Sequence, residues 1–178
     1  MKKTQFTIIF VLVALLATAG IALAAAANFR AHLSGDNEVP VRVTLAQGQA
    51  IFQLNEDGDE LSYKLIASNI ENVFQAHIHL GPADATGPVV VWLYPSTTPG
   101  AGPTGGGRID GVIAEGEITA ANLVGPLAGQ PLSALLEAML AGNTYVNVHT
   151  NDGVGDTNTG PGDFPGGEIR NQIDGHDH

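Results

Sequence analysis

Two histidines stand two residues apart in Gln75-Ala76-His77-Ile78-His79-Leu80-Gly81. Alternate side chains of a β-strand point to opposite faces, so His77 and His79 share a face with Gln75, and Ala76, Ile78 and Leu80 take the other. Tyr145-Val146-Asn147-Val148-His149-Thr150 has the same phase, with Tyr145, Asn147 and His149 on the polar side. If the two strands are neighbours in one sheet, His77, His79 and His149 share a surface patch. Three neutral imidazoles suit Cu²⁺ or Zn²⁺, and an acidic oxygen or a water can complete the shell. A third segment, Gly167 to Ile173, continues the pattern: with Ile169 and Ile173 inward, Glu168 and Arg170 fall on the polar face. Around the ligands, Glu168 is expected to orient an imidazole N–H, Arg170 to bind an anion or position a loop, and Asn147 to lie beside them.

The same residues admit other readings. Strand histidines also form plain polar networks, here with Glu168, Asn147 or loop carbonyls. Arg170 could serve an anion or small-ligand pocket, although an arginine beside acids more often pairs with one of them. His32 is out of phase with Phe29, Ala31 and Leu33, which makes it a candidate fourth ligand. The loop Asn151-Asp152-Gly153-Val154-Gly155-Asp156-Thr157-Asn158 spaces oxygen donors with glycine, so weak calcium binding by Asp152, Asp156 and Asp163 competes with a flexible, solvated loop. It lacks the twelfth-position glutamate and the flanking helices of an EF-hand. Nucleophilic catalysis has little support: the chain has no Cys and no Gly-x-Ser-x-Gly elbow, and Gly105-Gly106-Gly107 leads into a strand rather than a helix.

These segments need a scaffold of short strands. Of the 178 residues, 23 are Gly and 10 are Pro, which favours tight turns over long helices. Residues 1–27 read as a signal peptide: Lys2 and Lys3, an uncharged apolar run from Phe6 to Leu23, then small residues that place cleavage near Ala24 to Ala27. Retention of the run as a membrane anchor is the alternative. After cleavage no membrane association is expected, and the remainder has the size of one domain. The net charge of −11 argues against nucleic acid and anionic lipid as partners. Strands are expected over Asn28–Gly35, Val41–Leu54 (bent or split at Gly48), Leu61–Ala67, Val73–Leu80, Val89–Tyr94, Ile109–Ile118, Tyr145–Thr150 and Gly167–Ile173. Val89–Tyr94 is apolar on both faces and reads as central. Pro95–Gly107 reads as a mobile loop. One helix is expected over Pro131–Ala141, where Leu132, Leu135, Leu136, Met139 and Leu140 recur at helical spacing and Gly142 stops the run. The terminal Gly175-His176-Asp177-His178 reads as a disordered tail. The pattern is a β-sandwich with one short inserted helix.

Four stretches resemble the CHRD domain, the family named for its occurrence in chordin. They are Leu33-Ser34-Gly35-Asp36-Asn37-Glu38-Val39-Pro40, Ala76-His77-Ile78-His79-Leu80-Gly81, Tyr145-Val146-Asn147-Val148-His149-Thr150 and Gly166-Gly167-Glu168-Ile169-Arg170-Asn171-Gln172-Ile173, in the family's order. Two positions depart from the family's pattern: Val41 stands where a second proline is usual, and Asn171 where a glycine is usual. The resemblance implies an immunoglobulin-like or superoxide-dismutase-like all-β sandwich over residues 28–174, and it implies fold and export rather than an activity. The combined expectation is a secreted or periplasmic, non-catalytic binding or structural module with a candidate copper or zinc site, and with an extracellular protein or polysaccharide as a further partner. A copper-dependent oxidoreductase is the first alternative, since a His-x-His strand also occurs in Cu/Zn superoxide dismutases. That family's fourth and bridging histidines and its disulfide cysteines have no counterpart here. A purely adhesive module with structural histidines is the second.

Overall fold

The alternation read from the sequence becomes a wall of buried side chains. In the computed structural model, which describes residues 28–176, Phe29, Ala31 and Leu33 of β1 (Asn28–Ser34) point into the core. Ala50 and Phe52 of β2 (Gln47–Leu54) do the same, as do Leu61, Tyr63, Leu65 and Ala67 of β3 (Leu61–Glu71). The chain continues through β4 (Val73–Leu80), β5 (Val89–Tyr94), β6 (Arg108–Ile118), α1 (Leu132–Leu140), β7 (Thr144–Thr150), β8 (Ile169–Gln172) and β9 (Asp174–His176). The expected leader, residues 1–27, and the last two residues lie outside the described part.

All strand pairs are antiparallel, in the order β5-β4-β7-β8-β1-β2-β3-β6, with β9 also on β1. The sheet folds back until its two ends, β5 and β6, touch, giving an all-β sandwich that is nearly closed and barrel-like. Phe29, Phe52, Leu65, Ile78, Leu93 and Ile118 meet in the single core between the layers. Side chains of this size each contribute about 1.5–3 kcal/mol when fully buried. Tyr63 crosses the core, its hydroxyl donating to the Leu93 carbonyl at 2.7 Å. Burial pushes that phenol up to about 12. Helix α1 buries Leu132, Leu135, Leu136 and Met139, and it ends at Gly142, whose φ of +65° suits a residue without Cβ.

Four local expectations change. Strand β2 begins only at Gln47, because Val41–Ala46 joins no ladder. β5 ends the sheet path instead of lying centrally. The core covers one of its faces and Trp92 on the other packs against His77, while Val124 N–H donates to the Val90 carbonyl at its free edge. The Pro95–Gly107 loop is tied down by Gly102 N–H to Phe74 O at 2.7 Å and Gly105 N–H to Asn151 O at 2.9 Å. Gly175 and His176, expected in a disordered tail, belong to β9, which pairs with the start of β1. Among the described residues no helix is long and apolar enough to cross a membrane.

Candidate metal centre

β7 lies between β4 and β8, and the register sets the site. His79 is opposite Tyr145, His77 opposite Asn147, and Gln75 opposite His149. On the other side of β7, Asn147 faces Arg170 and Tyr145 faces Gln172. Directly opposed residues point to the same face, so the three histidines and Arg170 share one. That face is not the surface patch expected from the sequence. The turn after β4 and the long loop before β8 fold over it, leaving His77 3%, His79 8% and His149 7% exposed. Alternation identifies the face that is not core, but it is blind to a loop arriving from elsewhere.

One nitrogen from each of His77, His79 and His149 lies within 4.8 Å of the others. His79 Nδ1 is 2.8 Å from the Gly87 carbonyl, and His149 Nδ1 is 2.9 Å from the Pro165 carbonyl. A carbonyl can only accept, so each Nδ1 carries the proton and each neutral ring keeps its lone pair on Nε2. His149 Nε2 then stands 3.1 Å from His77 Nδ1. Two bare lone pairs at that distance repel, so a proton or a cation must lie between them. Two nitrogens held at 2.0–2.1 Å on one tetrahedral ion are about 3.3 Å apart. Without an ion, the His77 Nδ1–H donates to His149, leaving buried Nε2 atoms on His77 and His79 with no hydrogen-bond partner.

Electrostatics keeps the rings neutral, the form a metal requires. Burial, together with the charge each neighbour would carry, depresses His77 to about 2. Burial also lowers His149, to about 4, against the opposing hydrogen bond to Pro165. His79 is lowered too, chiefly by burial. Aromatic rings wall the site: Trp92 meets His77 edge-on with centroids 4.2 Å apart, and Tyr145 stacks on His79 at 4.8 Å.

The surrounding residues divide. Arg170 is buried, lies over the Tyr145 ring and donates to the Pro82, Ala83 and Ala85 carbonyls, so its contacts are with a loop rather than with an acid. Glu168 does not orient an imidazole. Its carboxylate accepts from Thr44 Oγ1 at 2.6 Å, Thr150 Oγ1 at 2.7 Å and Gly162 N–H at 2.8 Å. The backbone carbonyls Gly87 O and Pro165 O perform the task expected of it, because the covering loops reach the rings first. Asn147 is buried between His77 and Arg170, and its Oδ1 has no partner.

His32 stands exposed on β1, outside the cluster. Asp152, Asp156 and Asp163 are not gathered either. Asp152 accepts from Val154 N–H, Asp156 is exposed, and buried Asp163 accepts from the Thr159 N–H and hydroxyl. Glu38 carries a signal that the strand phase could not supply, since it lies in an irregular segment. It is 5% exposed, one oxygen has no partner, and burial pushes it up to about 7 against the pull of Arg170 and Arg42. Gly167 closes over it: a Cβ there would lie 2.6 Å from Glu38 Oε1 and 2.5 Å from the Asn147 amide atoms.

An antiparallel sandwich with three neutral imidazoles beneath its loops defines an all-β module with a candidate transition-metal centre. The chain belongs to the CHRD domain family, whose model matches residues 29–173. No curated protein and no solved structure matches it.

Proposed function

We propose that the protein is an exported, extracellular, non-catalytic CHRD module in which His77, His79 and His149 hold one divalent transition-metal ion, copper or zinc. The observation that carries this reading is the 3.1 Å approach of His77 Nδ1 to a His149 Nε2 whose ring has already committed its proton to Pro165. Ligating histidines characteristically donate their other N–H to a carbonyl or carboxylate, and His79 and His149 both do so. Nitrogens on one tetrahedral ion at these bond lengths are about 3.3 Å apart, so closing the cluster from within 4.8 Å asks for up to about 1.5 Å of side-chain movement. The bound ion joins β4 to β7 and, through the two carbonyl-bonded rings, fastens both covering loops. Three neutral ligands leave its positive charge intact, and a water or anion completes the shell. Arg170 spends its donors on three carbonyls, which favours this structural role over an oxidoreductase that would use the guanidinium to hold an anionic substrate.

The test is reconstitution of protein purified without a His-tag. About one equivalent of Cu²⁺ or Zn²⁺ is expected to survive dialysis, with a raised melting temperature, and the double variant His77→Phe/His149→Phe is expected to lose both. Less than a tenth of an equivalent, with an unchanged melting temperature, leaves the adhesive reading in its place.

A further inference from the structure

After the bend at Glu38–Pro40, residues 41–46 run into β2 as a strap outside any ladder, with the alternating exposure of an extended chain. Arg42, Thr44 and Ala46 point inward, while Val41 is 60%, Val43 88% and Leu45 81% exposed. The inward residues fasten the strap to the sandwich. Thr44 Oγ1 donates to Glu168, Arg42 Nε donates to the Gly167 carbonyl, and the Arg42 guanidinium lies 4.7 Å from the Phe164 ring centre. Arg42 turns its N–H to the Gly35 carbonyl at 2.9 Å, and its own carbonyl crowds the same glycine. In an extended chain, the N–H and C=O of one residue leave by one edge and those of the next by the opposite edge. Val41, Val43 and Leu45 therefore present their backbone groups to the far edge, where no partner stands among the described residues.

We propose that this strap is a pairing edge for a second copy of the chain, joined antiparallel about Val43. Val43 exchanges both N–H···O bonds with its twin, Val41 lies beside Leu45, and the two-fold axis makes the surface its own complement. Charge selects a copy as the occupant. The sixteen residues from Val39 to Leu54 contain no Asp or Glu, in a chain that has 18 of them and a net charge of −11. Two such molecules can meet here without setting carboxylate against carboxylate. The outward phase runs on from Val41 through Gln47 and Gln49 to Ile51, again without an acid. The exposed apolar side chains amount to about 400 Å² per copy, the size of patch that marks an interaction surface. Two copies bury about 800 Å² there, below the roughly 1,200 Å² of stable specific interfaces, so the expected association is weak and reversible, in the upper micromolar range. The proposal is independent of any bound metal.

Sedimentation velocity of the purified protein from about 1 to 500 μM is expected to show a reversible dimer. Val43→Glu adds a charge to the edge and Val43→Pro removes its N–H; each is expected to weaken the dimer at least tenfold with little change in melting temperature. Val154→Glu, at another exposed valine, is expected to leave it intact. Amide exchange at Val41, Val43 and Leu45 is expected to slow as concentration rises. A monomer at every concentration, the result if the edge serves a foreign strand, overturns the proposal. Association that both Val43 variants leave unchanged overturns it equally.

Discussion

The guanidinium carbon of Arg170 lies 3.6 Å from the centre of the Tyr145 ring, and the His79 imidazole stacks on that ring with the planes 6° apart. A residue of β8 is thereby coupled to a proposed ligand on β4 through the strand between them. The coupling has a second branch. Arg170 holds the Pro82–Ala85 carbonyls, and the same loop brings Gly87, whose N–H donates to the Tyr145 hydroxyl and whose carbonyl accepts from His79.

A lysine cannot span three carbonyls and lie flat on a ring. Arg170→Lys is therefore expected to cost about 3 kcal/mol of stability and to weaken metal binding about tenfold. Urea denaturation and a chelator competition titration measure the two effects. Unchanged values in both would mean that the loop holds itself in place.

Trp92, the chain's single tryptophan, packs against His77 and reports on an ion there. Cu²⁺ is expected to quench its fluorescence at one equivalent, Zn²⁺ to bind without quenching, and prior Zn²⁺ to block the copper effect. The double variant His77→Phe/His149→Phe is expected to lose the response. Stoichiometric copper with an unquenched indole would place the ion elsewhere, for instance on the histidines of the C-terminal segment.

Acid should destabilise the metal-free protein. The three imidazoles are depressed below their ordinary 6.5 in the folded state, so below that pH the unfolded chain binds more protons. The imidazoles' contribution to stability is complete above about pH 6.5 and is lost as the pH drops, down to about 4 for His149 and about 2 for His77. Urea midpoints at pH 7 and pH 5 should differ clearly, and a flat profile would mean that water reaches the rings. Metal-loaded protein is expected to release its ion over the same range.

Glu38 works in the opposite sense. Its carboxyl is raised from 4.5 to about 7, so the folded chain holds a proton that the unfolded chain releases, and stability is lost as the pH climbs through that interval. Glu38→Gln removes the ionisation. It is expected to stabilise the protein by up to about 3 kcal/mol at pH 8 and to change little at pH 4.5. A variant less stable than the parent at pH 8 would identify the ionised carboxylate as the form that supports the fold.

The period-two alternation of residues 75–81 and 145–150, together with the helical spacing of Leu132, Leu135, Leu136 and Met139, was enough to read those two strands, the helix and the face each histidine takes on its own strand. These are local properties, because a strand's two faces are decided by its own residues. What surrounds the rings was not legible. Glu168 lies in phase with Arg170, yet it bonds to Thr44, Thr150 and Gly162, while carbonyls of Gly87 and Pro165 take the imidazole protons. Backbone carbonyls occur at every residue and so leave no mark in a sequence. Glu38 sits in an irregular segment without any period to betray its burial. The sequence by itself determined which side chains could stand together. Only the tertiary structure decided that β7 lies between β4 and β8 and that loops cover the result, because ladder order and loop docking come from contacts between residues far apart in the chain.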